Sequence, residues 1–183
     1  MITLYNKIIN DFNNLSVNEL LSVNYSLTFN NYLDIIQNIE SFYDKIKNDV
    51  LENRKFQENS FHNFLLHQII YRLQEIKAYS EVNIFDTRRL VSVSSDCIST
   101  IQVLIREKIH LNVYFRSSDF DDALPIDLLF LSNIPKELIE HFDNFKHITN
   151  YKELNIENIN ILKQKQIVLN LMFGSLHRGR NVL

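Results

Sequence analysis

The 183-residue chain is short of the residues that usually punctuate or staple a fold: it has two glycines, two prolines, one cysteine and no tryptophan. With Cys97 alone, no internal disulfide can form and a cysteine-rich metal site is excluded, the pattern of a reducing compartment. No uninterrupted apolar run approaches the ~20 residues of a membrane-spanning helix. The opening segment, MITLYNKIINDF, has a polar residue at every second or third position, unlike a secretion signal. Neither sign of charge dominates. The net charge is -3 and the isoelectric point about 6.1, so no general attraction for a nucleic acid polymer is expected. These absences point to a cytoplasmic protein without a membrane, nucleic-acid or metal partner.

Hydrophobic residues make up 45% of the chain and charged residues 22%, the balance of a globular protein, and the length fits one domain over 1–183. Asparagine, plentiful where glycine is scarce, tolerates left-handed backbone and takes over turns. The first half reads as helices. Leu4, Ile8, Ile9 and Phe12 keep the spacing of one helical face, and Leu33, Ile36, Ile39, Phe42, Ile46 and Val50 mark a longer amphipathic helix. Between them, Ser16-Val-Asn-Glu19 has the form of a capping box and predicts a short second helix. Ser60 is placed to cap a further helix carrying Phe61, Phe64, Leu65, Ile69, Leu73 and Ile76.

The pattern changes near Asp86. RRLVSVSS alternates and is rich in β-branched residues, as a strand is. STIQVLI and IHLNVYFRSS, separated by Arg106-Glu-Lys108, predict a hairpin. PKELIEHF predicts a helix with Pro135 in its first turn, HITNYKELNIEN a loop with a short helix, and KQIVLNLMF a last strand. The expected class is α+β, helices first and a mostly antiparallel sheet after.

One stretch does not read as an ordinary loop. Residues 114–131, YFRSSDFDDALPIDLLFL, combine four acidic residues, a lone arginine and a proline between apolar flanks. The order is Arg116-Ser117-x-Asp119, then Pro125, then Asp127 two positions later. Upstream, HQIIYRLQEIKAYSEVNIFDTRRLVSV contains Asp86-Thr87-Arg88-Arg89. Cys97 lies between these motifs, five positions before Gln102 and nineteen before Arg116, and Gly174-Ser-Leu-His177 follows near the end.

Over roughly residues 65–132, and more weakly over 168–181, these motifs resemble the nucleotide-binding signature of thymidylate synthases and the related deoxycytidylate hydroxymethylases. The resemblance implies that family's α+β fold, with N-terminal helices packed on a mostly antiparallel or mixed sheet and a homodimer formed through the sheet. It also implies a pyrimidine nucleoside monophosphate as substrate, 5,10-methylenetetrahydrofolate as donor, and methyl or hydroxymethyl transfer to C5 by way of a cysteine nucleophile. Val91, Val93, Val103 and Ile105 are the apolar residues expected on the dimer face.

Each role follows from the resemblance and has an ordinary structural alternative. Arg116 and Ser117 would bind phosphate, a guanidinium forking onto its oxygens beside a hydroxyl; otherwise Arg116 ends a strand and pairs with Asp119 or Asp121. Arg88 and Arg89 would reach the phosphate of a second copy, although adjacent strand residues point to opposite faces; otherwise they are a solvated pair. Cys97 would add to C6, or is a buried apolar filler. The family's proline and histidine beside that cysteine are here Asp96 and Ile98, and the Asp96 carboxylate disfavours the thiolate. Gln102 and Asp119 would support base and sugar.

Asp127 stands where the hydroxymethylases carry aspartate. A carboxylate accepts from the cytosine amino group and repels the uracil oxygen, so cytidylate is the expected substrate; otherwise Asp127 caps a helix opening at Leu128. His177 would bind the sugar hydroxyl, but the family's tyrosine two positions later is Gly179, and Arg178 and Arg180 would either bind an anion or, as a chain end favours, form a frayed basic tail. The folate side and the proton-transfer glutamate are less recognisable than the nucleotide side. The competing reading is therefore a catalytically inactive nucleotide-binding or interaction protein on the same fold, with an unrelated α+β interaction protein behind it.

Overall fold

The computed structural model describes residues 1–46, 64–71, 90–95, 97–121, 123–145 and 156–178. In chain order these form α1 (Ile2–Leu15), β1 (Glu19–Phe29), α2 (Tyr32–Ile46) and α3, helical over 64–71. Then come β2 (Leu90–Val93), β3 (Ile98–Ile105), β4 (Ile109–Asp119), α4 (Leu124–Phe145), α5 (Ile156–Gln164) and β5 (Ile167–His177). The strands make one sheet in the order β1-β5-β4-β3-β2. β4 and β5 are parallel, joined by the crossover through α4 and α5, and every other pair is antiparallel. The α+β class with a mixed sheet is as expected. None of the helices among the described residues is long and apolar enough to cross a membrane.

Two expected elements are corrected. Ser16 closes α1 rather than opening a helix: it adopts left-handed backbone (φ 52°, ψ 39°), and the Val17 N–H donates back to the Phe12 carbonyl. Glu19 then begins β1, because Val23, Tyr25, Leu27 and Phe29 face the core at every second position. Pro135 does not start a helix either; α4 begins at Leu124, has Pro125 in its first turn and carries Pro135 inside. A proline inside a helix costs ~3 kcal/mol. Leu128, Leu131, Ile134, Leu138 and Ile139, all buried on α4, offset this at roughly 1.5–3 kcal/mol each.

The helices cover one face of the sheet. Leu4, Ile8 and Phe12 of α1, Ile35 and Phe42 of α2, Leu65 and Ile69 of α3, and Ile159 and Leu162 of α5 are buried there. They meet Ile101 and Val103 of β3, Leu111 and Val113 of β4, and Leu169 and Leu171 of β5 in one core. Phe115 and Phe173 stack at 4.5 Å between ring centroids, and Tyr5 stacks on Phe120 at 4.9 Å. Val103 and Ile105 therefore belong to the core, at 0% and 2% exposure. They are not on the dimer face expected of them; Val91 and Val93 do point the other way, half-buried and exposed. Alternation reveals that a strand has two faces but not which of them the helices take.

The other face carries a row of polar side chains in register. Ser26 donates to Asn170 Oδ1 (2.9 Å), Asn170 Nδ2 to Asn112 Oδ1 (2.8 Å), and Asn112 Nδ2 to Gln102 Oε1 (3.4 Å). These residues are direct cross-strand partners on β1, β5, β4 and β3. A slip of one residue would bury this row and expose the core, so the row fixes the register.

Candidate functional site

At one end of the sheet the alternation breaks on three neighbouring strands together. Successive core-facing residues are Leu20 and Val23 on β1, Leu176 and Phe173 on β5, and Ser118 and Phe115 on β4, a step of three where two is regular. Ser22 takes a positive φ of 52° at this line. On β5, Gly174 lies against β4 so closely that a Cβ there would sit 2.8 Å from the Arg116 carbonyl oxygen and 3.2 Å from Tyr114 Oη. Next to them, β3 has its own irregularity, with Ser99 as the extra residue between Ile98 and Thr100. The kink turns two successive residues per strand away from the core, and those residues include Arg116, Ser117 and Ser175.

Cys97 stands immediately before β3 at this same end. The Arg116 N–H donates to its carbonyl oxygen at 2.8 Å, so the bulged β4 backbone holds the two residues side by side. Both residues are exposed; the expectation that Cys97 is a buried filler does not hold. Ser117 pairs with Ser175, and Asp119 with His177, across β4 and β5. Five of the nine candidate residues, Cys97, Arg116, Ser117, Asp119 and His177, thus gather at the kinked end.

The local reasons are visible. Asp119 Oδ1 accepts from the Asp121 N–H (2.9 Å) and the Asp119 carbonyl from the Ala123 N–H (3.0 Å), which shapes the turn into α4. Phe120 N–H donates to the His177 carbonyl at 2.8 Å, extending the β4–β5 pairing past Asp119. His177 is half-buried, with Nδ1 3.4 Å from the Arg178 carbonyl oxygen.

The remaining four residues are placed differently. Asp127 is 6% exposed in the first turn of α4. The helix starts three residues before it, so it is not the cap. Gln102 lies ~15 Å along β3 from the Cys97 end, counting five residues at strand rise, and takes part in the polar row. Arg88 and Arg89 lie outside the described residues.

Two residues that the sequence placed in other roles belong here. Glu19 accepts a hydrogen bond from the Ser175 hydroxyl and is the direct cross-strand partner of His177. The alternation after Val23 is the signal that places it on a strand. Arg178 is no frayed tail: its Nη2 donates to Asn13 Oδ1 (3.0 Å), its guanidinium lies 5.4 Å from the Phe12 ring, and its N–H donates to the Asn18 carbonyl (2.9 Å). It therefore anchors the C-terminal end of α1 rather than meeting an anion in solvent.

Away from this end, a shallow concavity of about 870 Å³ opens beside the β3–β4 turn and α5, bordered by Lys108, Ile161, Gln164 and Lys165. None of the candidate residues lines it. Among the described residues no cluster of histidine, cysteine and carboxylates could hold a metal ion.

No family model and no curated protein matches the chain. Among solved structures it is similar to the thermostable thymidylate synthase A from Bacillus subtilis, at 14% identity over 96% of this chain and 79% of that one, with a TM-score of 0.45.

Proposed function

We propose that the kinked end binds a pyrimidine nucleoside monophosphate, a cytidylate in particular, and that Cys97 adds to C6 of its base. The reading is supported chiefly by the 2.8 Å contact between the Arg116 N–H and the Cys97 carbonyl, which joins the thiol-bearing residue to the phosphate-binding motif across nineteen positions of sequence. In this reading Arg116 and Ser117 take the phosphate, aided by Arg88 or Arg89 of a second copy. His177 meets the sugar, Asp119 shapes the turn beneath it, and Asp127 selects the C4 amino group. Gln102, on the open face, belongs with the homodimer contact rather than with the nucleotide. The whole chain acts as one domain of the thymidylate synthase kind.

The chemistry balances without a metal ion. The thiolate sulfur bonds to C6, and the C5–C6 π pair moves onto C5, which becomes nucleophilic. An electrophile bonds to C5; loss of the original C5 proton and expulsion of the thiolate then restore the double bond. In one-carbon transfer that electrophile is the methylene carbon that 5,10-methylenetetrahydrofolate supplies when bound. The side chains gathered at the kinked end suit an anion and hydroxyl groups, and the exposed Leu21 and Tyr114 beside them would offer a pterin an apolar wall.

That first step has its own signature. In D₂O, reversible addition exchanges the C5 hydrogen of the bound base for deuterium, and proton NMR of CMP and dCMP reads the loss of the C5–H signal. Exchange that disappears in Cys97→Ser is expected. Binding without exchange would leave the second reading, a nucleotide-binding module without turnover, which the water-exposed position of Cys97 favours. An absence of binding to any pyrimidine monophosphate, by calorimetry, would sink both.

A further inference from the structure

We infer that Glu19, set beside His177 at the kinked end of the sheet, accepts the ribose 2′-hydroxyl while His177 meets the 3′-hydroxyl, so that the site selects ribonucleotides over deoxyribonucleotides. This rests on the nucleotide reading above and adds the sugar to it.

Glu19, His177 and Asp119 are successive partners across β1, β5 and β4. The neighbouring row toward the kink holds Leu21, Ser175 and Ser117, and Arg116 follows it. Along the strands the exposed Arg116 stands at the bulge and the two carboxylates at the strand ends, where the one neighbouring guanidinium among the described residues, Arg178, is engaged with Asn13 and the Phe12 ring. A phosphate placed on Arg116 and Ser117 directs the rest of the nucleotide away from the cation, and the acceptors ahead are carboxylates. Two strand spacings and three residues separate Arg116 from Glu19, on the order of 14 Å between Cα atoms. Two long side chains shorten that gap to the scale of a sugar phosphate.

Glu19 is suited to a diol for three reasons. An ionised carboxylate only accepts, and vicinal hydroxyls offer two donors. The Ser175 hydroxyl occupies Oε1 from one side and fixes the carboxylate, and among the described residues no hydrogen bond to Oε2 is present. The side chain is exposed and within one strand spacing of His177. His177 alone serves one hydroxyl; Glu19 supplies the acceptor for the other. The ordinary role of such a residue is to keep an edge strand from pairing with another chain, and β1 is an edge. That role is indifferent to the ligand's sugar.

The experiment is a pair of calorimetric titrations, CMP and dCMP, on the unaltered 183-residue chain and on Glu19→Gln, with thermal melting of both to confirm equal folding. Glutamine keeps an acceptor for Ser175. The expected result is CMP bound roughly ten- to a hundredfold tighter than dCMP, the worth of a hydrogen bond to a charged group. Glu19→Gln should shrink that ratio toward one while leaving dCMP affinity nearly unchanged. Equal affinities in the unaltered protein, a preference for dCMP, or a ratio indifferent to Glu19→Gln would overturn the inference while nucleotide binding stands. If neither nucleotide binds, the site reading fails and the sugar inference goes with it.

Discussion

From Ile167 to Phe173, β5 sends every second side chain into the core, while from Phe173 to Leu176 the step is three. The same contrast divides β4 at Phe115 and β1 at Val23. The regular half of the sheet is built for stability: a mostly hydrocarbon core on one side, and on the other the polar row from Ser26 to Gln102. The kinked end gives up that regularity to aim side chains. Two successive residues per strand turn outward, and the strands there carry serine, glycine, arginine and histidine in place of leucine and isoleucine. A sheet that must both hold a core and present a polar site can do so by changing its period once, across several strands together.

Substitutions on the two sides of this division should differ in kind. The largest effect belongs to the last core residue before the kink. Phe115→Ala removes a fully buried ring stacked on Phe173 and should lower stability by about 3–5 kcal/mol, read from the urea midpoint with the slope unchanged. A loss under ~1 kcal/mol would show that the regular half does not carry the fold. Gly174→Ala tests the other side. Its Cβ would press on the Arg116 backbone, a contact that cannot rotate away, and overpacking of this kind costs about 1–3 kcal/mol. The loss of affinity for a pyrimidine monophosphate should exceed the loss of stability, because β4 moves at the very place where Arg116 and Ser117 sit. Unchanged affinity with lowered stability would mean that the kink serves packing alone.

The same division governs what could be read from sequence. Elements whose burial follows one period were legible: α1 from Leu4, Ile8 and Phe12, the β3–β4 hairpin around Arg106-Glu-Lys108, and β5 from its alternation. β1 was obscured because Ser16 and Glu19 mimic a helix start, a local signal, while the alternation of Val23, Tyr25, Leu27 and Phe29 acquires meaning only beside β5. α4 was cut short because proline is costly inside a helix, and only tertiary burial on both sides of Pro135 outweighs that cost. At the site, the motifs identified residue types, but a bulge reassigns faces. The sequence therefore could not say that Arg116 meets Cys97, that Glu19 meets Ser175, or that Gln102 lies in the middle of the open face.

Polar contacts also tie α1 to both halves of the sheet, Tyr25 Oη to Asp11 Oδ2 (2.8 Å) in the regular half and Arg178 to Asn13 at the kinked end. The first turns on a phenol whose ionisation folding shifts. Burial, then the hydrogen bond to Asp11, then the Asp11 charge push the Tyr25 phenol above its ordinary range near 10. The folded protein therefore holds this proton more tightly than the unfolded chain does. The contribution is complete below about pH 10, the unfolded value, and is lost as pH rises from there toward the higher folded value. Tyr25→Phe should cost about 1 kcal/mol at pH 7 by removing the hydrogen bond, leaving Asp11 free to turn to water. Its stability should fall less steeply than the unaltered protein's above about pH 10, so the two unfolding midpoints converge. Parallel curves would mean that the phenol is solvated in the folded state and that the regular half meets α1 through hydrocarbon alone.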